Sequence, residues 1–171
     1  MINGDSLQVD KINRSCENYK YAHKTGATKF AKIGNWLEKQ SSVFKSEADK
    51  KVFNKPNFKR GEIIKVDFGI NMGSELSNTH FAIVLNSDDN NHADNLTVIP
   101  LTSKKGYKRL NVGNILHDYE KNGKYSGDGY ALLTQITTIS KMKIFNTNVR
   151  SFCSKEIMNY ITENIINYFS K

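Results

Sequence analysis

The feature that most constrains the fold is the run of short apolar segments that begins after residue 60. Within residues 61–68, Ile64, Val66 and Phe68 alternate with Lys65 and Asp67, and this period of two predicts a β-strand. Polar, turn-forming residues separate each apolar segment from the next. Short strands at such close spacing are typical of a small, strongly curved antiparallel sheet or an SH3-like barrel. The predicted strands are 61–68, 81–85, 96–101, 110–116, 130–136 and 139–144.

Helical patterns flank this strand region on both sides. At the C-terminal end, Ser154 is suited to cap a helix, and its predicted apolar stripe is Ile157, Ile161, Ile165 and Phe169. Within strand 96–101, Pro100 donates no hydrogen bond, which places it at an edge, a bulge or the strand end. The fold class predicted is α+β, with the curved sheet and its C-terminal helix preceded by a helical N-terminal extension.

The N-terminal extension has helical rather than strand periodicity. Phe30, Ile33, Leu37 and Phe44 recur at intervals of three, four and seven residues. Gly34 and the polar run 40–42 are expected to divide this segment into two helices. Pro56 disfavours helix at the residue before it, so the linker is predicted at 54–57. The predicted domains are therefore 1–57, basic and mostly helical, and 58–171.

The positive charge is concentrated near the N-terminus. The whole chain carries 25 basic and 17 acidic side chains, whereas residues 1–60 alone hold 13 basic and 6 acidic ones. A basic segment beside a nearly neutral body favours a polyanionic partner such as nucleic acid. The alternative interpretation is a solvated, lysine-rich helix with no such partner.

Several classes of site are missing from the sequence. It has no P-loop, dinucleotide-binding, zinc-protease or nucleophile-elbow motif. The four histidines are scattered, and two cysteines are too few for a thiolate site, so neither a metal nor a cofactor is expected. We expect a cytoplasmic protein, since the sequence has no apolar run long enough to span a membrane and no signal-peptide pattern.

Polar side chains at predicted strand ends are suited to cleaving RNA without a metal. RNA carries its own nucleophile, the 2′-hydroxyl, so the protein needs groups that move protons and groups that hold phosphate. His80 and Glu75 could move protons, while Thr102, Ser103 and the basic segment 104–109 could hold phosphate. Each residue also has a structural interpretation, as a core histidine, a surface carboxylate, a turn cap or a solvated loop.

Taken in series, four segments of the chain resemble the PemK/MazF toxin family. They are Arg60–Phe68, Gly73–Glu75, Pro100–Ser103 and Gln135–Lys141, within a match of about residues 60–169. The resemblance implies a toxin of a type II toxin–antitoxin system with a compact, barrel-like sheet, usually a homodimer. It also implies a metal-independent endoribonuclease that cuts single-stranded RNA (mRNA) at specific sequences. The products would be 2′,3′-cyclic phosphate and 5′-hydroxyl ends, and an antitoxin protein would fill the RNA groove.

The resemblance assigns roles to individual positions. Thr102 matches the family's catalytic threonine, whereas His80 stands where the family has its catalytic arginine and Phe81 replaces the usual proline. The resemblance thus implies four catalytic residues: His80, Thr102, Ser74 and Glu75. For RNA binding, the cations and polar groups nearby are Ser103, Lys104, Lys105, Arg109 and Gln135.

The histidine in place of arginine leaves alternatives open. Arginine keeps its charge and binds phosphate through two donors, whereas histidine can exchange a proton. We favour a role for His80 in acid–base catalysis, with a chain that binds RNA without efficient cleavage as the alternative. A further alternative is a CcdB-like gyrase poison, because a related toxin family uses the same fold to bind protein.

Overall fold

The structure, a computed structural model, describes residues 3–49, 56–90, 92–115, 127–145 and 151–170. These residues form two compact units. The first contains the N-terminal helices together with Gly69–Met72, and the second contains the sheet and the C-terminal helix. No helix within the described ranges has the length and apolarity that crossing a bilayer would require.

The first unit consists of two helices joined by a short 3₁₀ turn. Helix α1 spans Asn3–Lys24 and helix α2 spans Ile33–Ala48, with the 3₁₀ turn at Thr28–Phe30. Gly26 follows α1 with a φ of +69°, the left-handed conformation in which helices commonly end. The excess positive charge lies largely outside these helices, because α1 carries four basic and three acidic side chains and α2 two of each.

The prediction that Gly34 and residues 40–42 divide the segment into two helices is wrong. Helix α2 continues through Gly34 and through the polar run 40–42, and the interruption lies earlier, between α1 and α2. One glycine near a helix end costs only about 1 kcal/mol, which neighbouring residues of good propensity can offset. Ile33 is the buried apolar side chain of α2, whereas Phe44 is exposed. Of the predicted linker 54–57, residues 54 and 55 lie outside the described residues.

The second unit is built on an antiparallel sheet whose strands are short. In the described residues the order across the sheet is β4-β5-β3-β2-β1-β7, and β6 pairs with β3 off this path. The strands are β1 (Glu62–Asp67), β2 (Thr79–Val84), β3 (Asn95–Thr102), β4 (Arg109–Gly113), β5 (Gly129–Leu132), β6 (Thr137–Ser140) and β7 (Ser151–Phe152).

Strand β3 gives the sheet its strong curvature because it changes partners along its length. One edge pairs with β2, while the other pairs with β6 up to Val98 and with β5 from Leu101. Pro100 is buried within β3 rather than at its end, and it falls in the gap between these two partners. Its missing N–H therefore costs no hydrogen bond of the ladder on that edge. The predicted α+β fold, a small, strongly curved antiparallel sheet with a C-terminal helix, is confirmed, and the sheet forms a half-barrel.

Both faces of the sheet are buried, which explains why polar and apolar positions do not alternate throughout. Ile64, Val66 and Phe68 pack on one face, as the alternation predicts, with apolar residues of β2, β3 and β6. The opposite face is covered by helix α3 (Lys155–Phe169), whose Met158 and Ile161 pack against β1–β5. Ser154 caps α3 as predicted, since its Oγ accepts a hydrogen bond from the N–H of Ile157.

The chain leaves the sheet earlier than predicted at two places. The predicted strand 130–136 ends at Leu132 and continues as a 3₁₀ turn, Leu133–Gln135. The predicted strand 139–144 likewise becomes a 3₁₀ turn at Lys141–Lys143. On α3, Phe169 is exposed, and Tyr168 packs against the core in its place. Leu116, the predicted end of the fourth strand, lies outside the described residues.

A buried ion pair ties the loop between β2 and β3 to the end of β6. Lys141 Nζ lies 2.8 Å from Asp89 Oδ1, and both side chains are almost fully buried. Lys141 also donates a hydrogen bond to the carbonyl of Asn90, and the N–H of Phe58 donates one to Asp89 Oδ2. The lysine that closes the last family-like segment is therefore structural.

Candidate active site

A cleft opens at the end of the sheet where β2 and β3 separate. The two strands stay paired as far as Ala82 opposite Pro100. Beyond that pair, β3 pairs with β5 and the start of β2 no longer has β3 beside it. The first residues of β2 and the last residues of β3 therefore become accessible. The cleft has a volume of about 230 Å3 and is lined by Lys65, Thr79, His80, Phe81, Leu101, Thr102, Ser103 and Lys104.

The charged groups of the cleft lining are cationic. Lys65 and Lys104 both line it, and its eight residues include no carboxylate. The Nζ of Lys65 lies 5.7 Å from the centre of the Phe145 ring, and the N–H of Phe145 donates a hydrogen bond to the Lys65 carbonyl. A lining of this kind is suited to a phosphate and unsuited to a bare cation.

His80 contributes the imidazole of the lining, the side-chain type that most often serves as a general acid or base. It is the second residue of β2, pairs with Val66 across the sheet and is half-buried. Its Nε2 lies 3.1 Å from the carbonyl oxygen of Ser77, and its ring packs edge-to-face with the Phe68 ring, with 6.4 Å between the ring centres. A carbonyl can only accept, so this contact requires a proton on Nε2 and leaves Nδ1 for exchange with a ligand.

Thr102 ends β3 at the edge of the cleft. Its Oγ1 accepts a hydrogen bond from the N–H of Lys104 at 3.3 Å, so the hydroxyl caps the turn that follows. This is the structural interpretation offered by the sequence. It is compatible with a role toward a ligand, because a hydroxyl that accepts one hydrogen bond can still donate another.

Five of the predicted site residues lie outside the cleft lining: Ser74, Glu75, Lys105, Arg109 and Gln135. Ser74 and Glu75 are exposed in the loop between β1 and β2, where Gly73 has the positive φ of +53° expected of a tight turn. Gln135 is half-buried, and its Oε1 accepts a hydrogen bond from the N–H of Leu76. The glutamine thus ties the loop that carries Glu75 to the 3₁₀ turn after β5.

The predicted RNA-binding segment after β3 divides into two parts. Ser103 and Lys104 line the cleft, and Lys105 is exposed beyond it. The guanidinium of Arg109 folds back onto the loop and donates a hydrogen bond to the Lys104 carbonyl at 2.8 Å. Arg109 therefore stabilises the loop in this conformation.

The sequence reasoning missed four residues of the cleft lining: Lys65, Thr79, Phe81 and Leu101. The alternation in residues 61–68 puts Lys65 on the polar face of the first predicted strand. Its pairing with Phe81 places it instead next to the point where β2 loses β3. The sequence did contain a signal for Lys65. Strand β1 leads into the loop that carries Gly73, Ser74 and Glu75, so the C-terminal half of β1, where Lys65 lies, had to be near the same end of the sheet as that loop. Among the described residues, no group of three His, Cys, Asp or Glu side chains is arranged to hold a metal ion.

Comparison with known proteins identifies the family. Residues 59–169 match the model of the PemK-like, MazF-like toxin of type II toxin–antitoxin systems. No curated protein matches the chain. It is similar to two solved structures, "Endoribonuclease from Mycobacterial species" (14% identity, TM-score 0.46, covering 70% of this chain and 96% of that one) and MazF from Deinococcus radiodurans (16%, 0.48, 68% and 99%). Because the family model covers well over half of the sequence, the chain belongs to the PemK-like, MazF-like toxin family of type II toxin–antitoxin systems.

Proposed function

We propose that this chain is a metal-independent endoribonuclease that cuts single-stranded RNA, principally mRNA, at specific sequences. The observation that carries the proposal is the cleft between β2 and β3, where His80, Thr102 and two lysines meet without a carboxylate. Family membership supports the toxin role, and the name of one similar structure associates this fold with an endoribonuclease. Residues 58–171 would form the toxin domain.

The proposed reaction uses the nucleophile that RNA itself supplies. The 2′-oxygen bonds to phosphorus as the bond from phosphorus to the 5′-oxygen breaks. A base takes the proton of the 2′-hydroxyl, and an acid gives a proton to the departing 5′-oxygen. The products are then a 2′,3′-cyclic phosphate and a 5′-hydroxyl. His80 carries one of these transfers through Nδ1, because the Ser77 carbonyl occupies Nε2.

Charge that develops on the phosphate oxygens has to be stabilised by the remaining groups. Thr102 donates its hydroxyl hydrogen to one of these oxygens while it accepts from Lys104. Lys65 and Lys104 supply fixed positive charge, which histidine at position 80 cannot supply at all pH values. We thus propose that Lys65 compensates for the absent arginine.

The other predicted groups act around this centre. Ser74, Glu75 and Gln135 belong to the loop system held by the Gln135–Leu76 hydrogen bond, and we propose that they border the bound RNA. Ser103, Lys105 and Arg109 would guide the strand away from the cleft. A homodimer in the cytoplasm and an antitoxin that occupies the same groove complete the proposal, in keeping with a type II system.

The proposal is tested by incubating the full chain with a mixed population of RNA and sequencing the new 5′-hydroxyl ends. We expect cleavage at one short sequence, in EDTA as well as in its absence, and no cleavage of DNA, which lacks the 2′-hydroxyl. Lys65→Met should slow cleavage by about a hundredfold, the effect of removing one group that stabilises the transition state. Lys143→Met removes an exposed lysine outside the cleft and serves as the matched control.

Two outcomes would contradict the proposal. Cleavage that stops on chelation would show that a metal is required. Intact RNA together with inhibition of DNA gyrase by the purified chain would favour the gyrase poison instead. If Lys65→Met and Lys143→Met cleave equally well, Lys65 does not supply the missing charge.

A further inference from the structure

The loop between β3 and β4 presents an aromatic ring to solvent beside the proposed RNA site. Tyr107 is 85% exposed, although burial of a tyrosine ring is normally favourable. Lys104, Lys105 and Lys108 surround it in the sequence, and all three are exposed. Lys104 also lines the cleft, so this loop leads directly away from Thr102.

The loop that carries Tyr107 is fixed rather than loosely attached. Arg109 donates a hydrogen bond to the Lys104 carbonyl, and the N–H of Leu133 donates one to the carbonyl of Lys108. Lys108 has a φ of +54°, an uncommon conformation for a residue with a side chain, which persists where surrounding contacts require it.

The ammonium group of Lys108 also stabilises the position of the Tyr107 ring. Its Nζ lies 5.5 Å from the centre of the Tyr107 ring and 5.5 Å from that of Tyr168 on α3. A cation at this distance is attracted to the face of an aromatic ring. Tyr107 is therefore positioned before any ligand arrives, which lowers the entropy lost when a ligand binds to it.

An exposed aromatic ring among cations matches the chemistry of a single-stranded nucleotide. The flat base stacks on the ring, while the phosphates on either side meet the lysines. Stacking requires an unpaired base, which agrees with a single-stranded substrate.

We propose that Tyr107 is a stacking site for one unpaired nucleobase of the RNA, adjacent to the cleft that holds the phosphate to be cut. This inference rests on the proposed function for the identity of the ligand. It adds a base-binding site whose contribution to RNA affinity depends on stacking rather than on charge. The base that stacks there fixes the register of the strand relative to His80 and Thr102.

The test separates stacking from electrostatic attraction by comparing two strands with the same number of phosphates. One is a fluorescein-labelled, 2′-O-methyl oligoadenylate of about twelve nucleotides, within the range bound by single-strand sites. The other is an abasic strand of the same length. The 2′-O-methyl groups block the nucleophile, so binding is measured by fluorescence anisotropy without cleavage.

In the wild-type chain we expect the oligoadenylate to bind more tightly than the abasic strand. Tyr107→Ala should weaken oligoadenylate binding by about five- to 150-fold, the value of one stacked base, and leave abasic binding unchanged. Tyr107→Phe keeps the ring and should bind both strands as the wild type does. Tyr160→Ala removes another exposed tyrosine, on α3, and should also have no effect.

Three results would overturn the proposal. They are equal binding of the two strands by the wild type, an unchanged affinity of Tyr107→Ala for the oligoadenylate, and an equal loss for both strands. Failure of the proposed catalysis is distinguishable from these, because a chain that cuts no RNA can still show the Tyr107-dependent difference between the two strands.

Discussion

The buried ion pair between Lys141 and Asp89 allows a prediction whose size follows from the structure. The two charged atoms are 2.8 Å apart, and the side chains are 2% and 1% exposed. At an effective dielectric constant of about 20, their attraction is about 6 kcal/mol. Burial of each charge costs several kcal/mol, so the pair is close to neutral overall relative to apolar side chains. Removal of one partner, however, leaves the burial cost of the other uncompensated.

Lys141→Met should therefore lower the free energy of unfolding by about 3–5 kcal/mol. For a chain of 171 residues this corresponds to a fall in Tm of roughly 10 °C. Asp89→Leu should cost as much, since it also removes the acceptor of the Phe58 N–H. In the double variant the Phe58 N–H and the Asn90 carbonyl each lose a hydrogen-bond partner but no buried charge remains, and the loss should shrink to about 1–3 kcal/mol.

The assay is a double-mutant cycle measured by urea denaturation at neutral pH. Its matched control is the pair Lys20–Glu17, which has nearly the same separation, 2.7 Å, but is 66% and 70% exposed. Lys20→Met should leave the free energy of unfolding almost unchanged, because solvent screens an exposed ion pair. The reasoning is refuted if the losses of the two single variants add in the double variant, or if the exposed pair costs as much as the buried one.

Three further predictions follow from other parts of the chain. Ser154→Ala removes the cap of α3 and should cost about 1 kcal/mol in thermal denaturation. It should also raise the pKa of Glu156, which the hydrogen bond to Ser154 holds below its ordinary value, and an NMR titration that finds this pKa unchanged would contradict the assignment. Burial raises the pKa of the Cys153 thiol to about 12, so at pH 8 iodoacetamide should modify the exposed Cys16 well before Cys153 in mass spectra, and equal rates would disprove it. If the basic N-terminal segment contacts RNA, replacement of Lys50, Lys51 and Lys55 by Gln should reduce the slope of log affinity against log salt by about 0.7 for each lost phosphate contact, whereas an unchanged slope would exclude such contacts.

Much of the fold could be predicted because periodicity reflects burial directly. Ile64 and Val66 of β1, with Phe68 directly after it, pack into one cluster as the alternation requires, and Ser154 caps α3 as its side chain permits. The ends of the strands were less predictable. Apolar residues such as Leu133 are buried whether the chain continues as a strand or bends into a 3₁₀ turn, so the pattern does not show where the ladder stops.

The composition of the candidate site could be predicted only in part. His80, Thr102, Ser103 and Lys104 were predicted and do line one cleft. Lys65 was missed because a polar position in a strand is ordinarily solvated. Its place in the cleft lining depends on the separation of β3 from β2 after Pro100, which the sequence pattern does not show. The burial of Lys141 was equally hidden, since its partner Asp89 is far away in the sequence and the loop between β2 and β3 brings the two together.

The most direct test of the central claim is the rate of RNA cleavage as a function of pH for the wild type and for His80→Arg. We expect the wild-type profile to contain a limb between about pH 5 and 8, the range in which histidine side chains change charge. In His80→Arg that limb should be absent, whether or not cleavage persists, while His92→Arg, at an exposed histidine outside the cleft, should keep it. An unchanged profile in His80→Arg would show that no catalytic proton passes through His80.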